Sequence, residues 1–333
     1  AKRMGVVVEQ GEDEIAVINM AIGASFAGAL SMVGTSGGGF ALMAEGVSLS
    51  AMTETPVIIV VAQRPGPATG LPTRTAQADL EFVLHAGHGE FPRAVFAPGS
   101  VEECFHLTRA ALYLSQLCQG PIFILTDQFL ADSYRAVDPF EVEKLASVNV
   151  ECEANFTNSP YERYAETEIG VSPRHIPGLT EYLVVADSDE HTPDGRLTED
   201  LFVAKKMIDK RLRKLELLQR EVIPPERWGD ERPDLLLVTW GSSKGAVIET
   251  AQQLRAEGKN VSTLHFSQVW PLIPEQFLST LEEAGEVICL EGNATGQLAR
   301  LIRRETGFLI EKRVLRYDGL PLTPEFIIKA LAS

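Results

Sequence analysis

The chain has 333 residues, 45% of them hydrophobic and 23% charged, and a formal net charge of −16. That length accommodates two or three domains, each with its own core. The acidic balance excludes a phosphate-tracking nucleic-acid surface, because no Lys/Arg cluster offsets it; the densest basic run, Lys210-Arg211-Leu212-Arg213-Lys214, is flanked by Asp209 and Glu216 and reads as a solvated helix face.

Val6-Val7-Val8 reads as a short strand. An acidic knot, Glu12-Asp13-Glu14, then opens an uncharged stretch from Ile15 to Ala44. A helix is predicted over Ile15–Val33. It is about as long as a membrane span, but Asn19, Ser25, Ser31 and the glycine turn Thr35-Ser36-Gly37-Gly38-Gly39-Phe40 argue against a span. Gly23, Ala24, Ala27 and Gly28 suit a helix packed closely on a partner subunit. Glu45–Met52 reads as a helix and Pro56–Val61 as a buried strand. The Gly/Pro loop Gln63-Arg64-Pro65-Gly66-Pro67-Ala68-Thr69-Gly70-Leu71-Pro72-Thr73 follows. Arg93–Phe96 and Pro121–Leu125 are further strands, and Ser100-Val101-Glu102-Glu103 is a capping box that starts a helix to Leu117. Such alternation over residues 1–137 implies a mainly parallel sheet covered on both faces.

Residues 138–232 are punctuated by proline and read as an extended connector carrying one long helix, about Asp200 to Glu221. Residues 233–333 form a second α/β unit. Its strands are Leu235–Trp240, Val261–Phe266 and Glu286–Leu290; Ser242 or Ser243 is placed to cap a helix to Glu257, and another helix runs from Gln297 to Glu305. Trp240-Gly241-Ser242-Ser243-Lys244-Gly245 lacks the spacing of a phosphate loop and reads as a tight strand-to-helix turn.

Two residues stand out chemically. Glu14 enters the apolar helix, either as a tuned acid or as an acid favoured by the helix dipole. Arg64 leaves a buried strand directly, either to fork onto a carboxylate or to make a surface ion pair. His85 and His88 flank a glycine without pointing to a role. Asp187, Asp189, Glu190, His191 and Asp194 carry a glycine misplaced for an EF-hand and read as a solvated acidic loop. Cys104, Cys118, Cys152 and Cys289 have no CxxC spacing and read as buried thiols of a reducing, cytoplasmic compartment.

Several strings, in order, carry a resemblance: Asp13 to Ser25, Gln63 to Thr73, Gly87-His88-Gly89-Glu90-Phe91-Pro92, Gly170-Val171-Ser172-Pro173-Arg174, Asp189-Glu190-His191 and Thr295-Gly296-Gln297-Leu298. The chain resembles the α subunit of the 2-oxoacid:ferredoxin oxidoreductases, the 2-oxoglutarate type most closely. It departs from that family at Gly37-Gly38-Gly39, where Gly-Pro-Gly is usual, and at Ala68, where serine is usual. The resemblance implies a thiamine-diphosphate pyrimidine-binding domain (1–137), a connector (138–232) and a transketolase C-terminal-like α/β domain (233–333). It implies that Glu14 holds the pyrimidine nitrogen and that Arg64 and Thr73 meet the 2-oxoacid. The diphosphate, Mg²⁺ and the [4Fe-4S] cluster are then expected on a β subunit, with ferredoxin and coenzyme A as further partners. The family's upstream Tyr-Pro-Ile-Thr-Pro signature is absent from this sequence, so that element is expected from a missing segment or from another chain.

Overall fold

The structure is a computed structural model that describes residues 5–148 and 160–332. In its first part, α1 (Glu14–Phe26), β1 (Met32–Ser36), α2 (Gly37–Met52), β2 (Val57–Gln63), α3 (Leu80–His85), β3 (Ala94–Phe96), α4 (Val101–Cys118), β4 (Pro121–Asp127) and α5 (Gln128–Ala131) follow in order. Strands β1, β2, β4 and β3 pair in parallel in that order. Their side chains form near-continuous buried runs, as expected of a sheet covered on both faces.

Several local expectations need correction. Val6, Val7 and Val8 are exposed, and they pair with no strand among the described residues. β-Branching favours a strand but does not supply a ladder partner. The first helix stops at Phe26, because Gly28 sits at φ +99° against Ile176, and the remaining apolar residues become edge strand β1. The glycine turn is not a loop: Gly37, Gly38 and Gly39 are the first turn of α2. Gly46 lets α2 lie on Ile18 of α1, where a Cβ would come within 2.7 Å.

The middle of the chain is more firmly seated than its proline-punctuated sequence suggests. Helix α6 (Leu201–Arg220) buries Met207, Lys210, Arg211, Lys214 and Leu218 along one stripe. The solvated-face reading of the basic run is therefore wrong. Lys210 Nζ lies 2.6 Å from Glu54 Oε1, and Lys214 Nζ contacts the other oxygen of the same carboxylate. Arg163 donates to the Glu54 carbonyl at 2.7 Å, and Tyr164 donates its hydroxyl to the Thr53 carbonyl at 3.2 Å. A wholly buried carboxylate thus gathers three cations onto the turn after α2.

The last part comprises β5 (Glu226–Trp228), β6 (Leu235–Trp240), α7 (Lys244–Ala256), β7 (Val261–Phe266), β8 (Gln268–Trp270), α8 (Leu278–Glu282), β9 (Glu286–Glu291), α9 (Gln297–Thr306), β10 (Lys312–Leu315) and α10 (Pro324–Leu331). A second sheet runs β10-β9-β6-β7-β5, parallel except at edge strand β5. Strand β8 leaves this unit and completes the first sheet, antiparallel to β3. One hydrophobic core therefore contains Val61, Val95, Trp240, Phe266 and Leu298 together.

The carboxyl edges of the two sheets meet at the segment between β2 and α3. Gln77 donates its amide to the Trp240 carbonyl at 2.7 Å and accepts from Ser243 Oγ at 2.9 Å and Gly292 N at 2.8 Å. Ser242 donates to Asp127. Neither serine makes the expected helix cap; both tie the second unit to the first. The Gly241 turn is likewise occupied by protein, with Gly99 packed on its carbonyl and His265 at 3.1 Å.

Candidate active site

The parallel strands of the first sheet deliver three features to one edge: the start of α2 after β1, Arg64 after β2, and Asp127 at the end of β4. Open α/β sheets bind ligands at this carboxyl edge. Asp127 is spent on structure, accepting from Leu130 N at 3.0 Å and from Ser242.

Glu14 is the first residue of α1, whose N-cap is Asp13, accepting from Ile15 N at 3.0 Å. The dipole-capping role therefore belongs to Asp13, and Glu14 is free to point elsewhere. It points at α2. A Cβ on Gly39 would stand 2.5 Å from Glu14 Oε1 and 2.1 Å from Thr35 Oγ1, so only glycine admits the carboxylate there. Glu14 is half-buried rather than enclosed.

Arg64 is partly exposed, yet its Nε is buried with no hydrogen-bond partner among the described residues. No ion pair of the described residues includes it, so the surface-salt-bridge alternative has no carboxylate to name. An orphaned guanidinium donor is costly and fits a ligand anion. The loop beyond closes on itself: Leu71 N donates to the Pro65 carbonyl at 3.0 Å. Gly70 has φ +50°, and a Cβ there would stand 1.8 Å from that same carbonyl oxygen. Arg64 leads into this neck and Thr73 leads out of it, exposed in the following turn. Ala68 has φ +54° and turns its carbonyl toward Gly38. The closed loop and Glu14 thus rest on adjacent glycines of one helix turn.

Other sequence candidates fall elsewhere. His85 is engaged by the Glu81 carbonyl at 2.8 Å and by Arg304 at 3.1 Å. His88 is pinned through its backbone by Ser48 and lines a cleft of about 330 Å³ with Glu45, Glu90, Glu190 and Arg211. That cleft borders the last turns of α2, a helix about 24 Å long at 1.5 Å per residue. Glu14 stands instead against Gly39 in the first turn of that helix, and the one arginine of the cleft is already paired bidentately with Glu190, at 2.9 and 2.7 Å. The 187–195 segment is accordingly not a simple solvated loop: Glu190 holds Arg211, and His191 is buried against the Tyr164 ring. Cys118 and Cys289 are buried thiols pushed upward in pKa by burial, and Cys104 is partly buried. Cys152 lies outside the described residues. Among the described residues no group of three or more His, Cys, Asp or Glu side chains is placed to hold a metal ion, and no helix is long and apolar enough to cross a membrane.

Sequence reasoning missed Asp79, which stands on the other side of the same glycine turn. A Cβ on Gly37 would lie 2.3 Å from Asp79 Oδ2. Burial pushes its carboxyl up to about pKa 6. Its only sequence signal was its place between a Gly/Pro loop and an apolar run.

Residues 1–210 match the family described as pyruvate flavodoxin/ferredoxin oxidoreductase, thiamine-diphosphate binding, and the chain belongs to that family. It is 37% identical over 338 residues to the 2-oxoacid:ferredoxin oxidoreductase 1 α subunit of Sulfurisphaera tokodaii, covering 99% of this chain and 52% of the relative. The chain thus spans about half the length of that relative. It is 30% identical over 327 residues to the 2-oxoglutarate synthase subunit KorA of Archaeoglobus fulgidus, covering 98% of this chain and 86% of the relative. The solved 2-oxoglutarate:ferredoxin oxidoreductase from Magnetococcus marinus, with 2-oxoglutarate, coenzyme A and succinyl-CoA bound, superposes with a TM-score of 0.92 at 34% identity, over 99% of this chain and 57% of that one. A split-gene transketolase shares the fold alone, with a TM-score of 0.51 at 15% identity.

Proposed function

We propose that this chain is the α part of a 2-oxoacid:ferredoxin oxidoreductase acting on 2-oxoglutarate. The complex would release CO₂, pass the acyl group to coenzyme A, and send the electrons through an iron–sulfur cluster on a β subunit to ferredoxin. The observation that carries this reading is the orphaned Arg64 Nε at the carboxyl edge of the sheet, beside the glycine turn that seats Glu14.

The residues fit one half of the thiamine-diphosphate site. Gly39 leaves a cradle for Glu14 that a side chain would fill, and a carboxylate is the group that can share a proton with a pyrimidine nitrogen. A site for Mg²⁺ and the diphosphate is assigned to the β subunit. When bound, the cofactor supplies an acidic carbon that serves as nucleophile and a sink for the electrons of decarboxylation. Glu14 holds the proton at the ring nitrogen. Arg64 forks onto the C1 carboxylate of the 2-oxoacid and retains its charge when water is excluded. The Thr73 hydroxyl donates to the same substrate from the far stem of the loop.

The test is methyl-viologen reduction by the complex of this chain with its β subunit. Reduction that requires both 2-oxoglutarate and coenzyme A is expected. Acyl or ketol transfer without viologen reduction would make it a different thiamine-diphosphate enzyme. No turnover, in a complex that binds cofactor, would make it a scaffold.

A further inference from the structure

Glu14 and Asp79 are carboxylates that both stand against the opening turn of α2. Gly37 accommodates Asp79 as Gly39 accommodates Glu14: a Cβ on Gly37 would meet Asp79 Oδ2 at 2.3 Å and its Cγ at 2.8 Å. The turn between them is weak on its own. Glycine is a poor helix former, and Ser36 makes no side-chain cap bond. Its shape is therefore set by what packs on it.

Asp79 is well placed to set it. Its backbone N donates to Gln63 Oε1 at 3.0 Å, and the Gln63 amide donates to the Thr126 carbonyl of β4 at 3.3 Å. Gln63 ends β2 and immediately precedes Arg64. A continuous path thus runs from β4 through Gln63 to Asp79, Gly37 and the turn that seats Glu14. Meanwhile Asp79 Oδ2 is buried with no hydrogen-bond partner among the described residues. A carboxyl kept in such a place costs stability, and the contact with Gly37 is what it provides in return.

Resting on the function proposed above, we infer that Asp79 is a positioning residue: it seats Gly37 and so fixes where Glu14 stands relative to Arg64. The contact is mechanical, so an isosteric neutral side chain serves nearly as well, whereas a short one lets the turn sag.

The experiment compares Asp79→Ala, Asp79→Asn, Gly37→Ala and the Gly37→Ala/Asp79→Ala double variant in the complex with the β subunit. Asp79→Ala is expected to lower kcat by up to about 10²-fold, the scale of a misplacement of roughly 1 Å, with KM for the 2-oxoacid unchanged. Asp79→Asn restores most of kcat. Gly37→Ala alone is impaired, and the double variant recovers part of that loss in both kcat and thermal midpoint. Wild-type kcat in Asp79→Ala would overturn the inference. So would failure of Asp79→Asn to rescue, or strictly additive losses in the double variant. If the wild-type complex turns over no 2-oxoacid, the proposed function fails. The Gly37–Asp79 coupling is then still decided by the four thermal midpoints: recovery supports the seat and additivity overturns it.

Discussion

At the residue scale, Glu14 and Asp79 rest on one glycine turn while Arg64 and Thr73 flank the loop beside it, and these residues differ in what their removal should do. Glu14→Gln keeps the volume beside Gly39 but cannot hold a proton in the same way. Turnover is expected to fall by about 10²–10⁴, the usual worth of a general acid–base group, with the fold intact by circular dichroism; near-normal turnover would remove Glu14 from the site. Arg64→Lys loses the fork and the aligned Nε. It should raise the oxoacid KM by an amount equivalent to about 1.5–3 kcal/mol, the worth of a charge-assisted hydrogen bond, while cofactor affinity stays put. Thr73→Val should do the same more weakly. An unchanged KM in Arg64→Lys would make the arginine a scaffold residue. Asp79 has a pH signature of its own. Its folded pKa of about 6 lies above its ordinary value of 3.8. The folded state therefore binds the extra proton, and this group's contribution to stability is present at low pH and lost as pH rises through 6. Asp79→Asn should accordingly raise the thermal midpoint more at pH 8 than at pH 5; an equal shift at both would show that Asp79 does not titrate in that range.

At the element scale, the buried Glu54 cluster fastens α6 to the turn after α2. Burial alone would raise the Glu54 carboxyl, but Lys214, Lys210 and Arg163 outweigh it and hold it well below the usual carboxylate range. Burial, with Lys214 and Arg163 nearby, brings Lys210 down to about 7 against the pull of Glu54. Glu54→Gln should therefore cost about 3–5 kcal/mol, because it strands buried cations. Lys210→Met should cost markedly less, since Lys214 and Arg163 still serve the carboxylate. Between pH 7 and about 10.5 the unfolded chain binds the Lys210 proton more tightly than the folded chain, so wild-type stability should gain on Lys210→Met as pH rises through that window. Equal penalties for the two variants in urea melts would contradict this division. The same cluster shows why the sequence was only partly legible. The β-branched runs of β2 and β4 and the Ser100–Glu103 cap of α4 announced themselves, because periodicity and capping are local. Helix α6 buries lysines and an arginine along its stripe, so its charge pattern read as solvated when a distant carboxylate was waiting for it. Gly37 to Gly39 read as a turn because their purpose, room for Glu14 and Asp79, lies in residues remote in sequence. Asp79 was invisible for the same reason.

At the scale of the whole molecule, the chain presents an unfinished surface. Strand β1 is an edge strand, and around it Ile15, Met20, Leu30, Met32 and Leu42 are all at least 41% exposed. Gly23 and Ala24 on α1 and Ala27 at its C-cap are exposed, whereas Gly28 is used internally against Ile176. Exposed apolar residues beside an unpaired strand edge need cover. The same elements carry Glu14 and the glycine turn, so a partner that covers them would also stand beside the proposed site. The proposed occupant is the β subunit that brings the diphosphate and Mg²⁺ site and the cluster. Purified alone, this chain should bind thiamine diphosphate weakly and carry no iron; coexpressed with the β subunit, it should yield an α–β assembly in which cofactor and iron appear together. Met20→Glu with Met32→Glu places two charges on the exposed face while leaving the buried residues of α1, Ile18 and Ile22, untouched. That variant should fold alone with a normal thermal midpoint and fail to co-purify with the β subunit on size exclusion. Tight cofactor binding or bound iron in the isolated chain, or normal assembly of the charged variant, would show that the site is self-contained or that the partner docks on a different face.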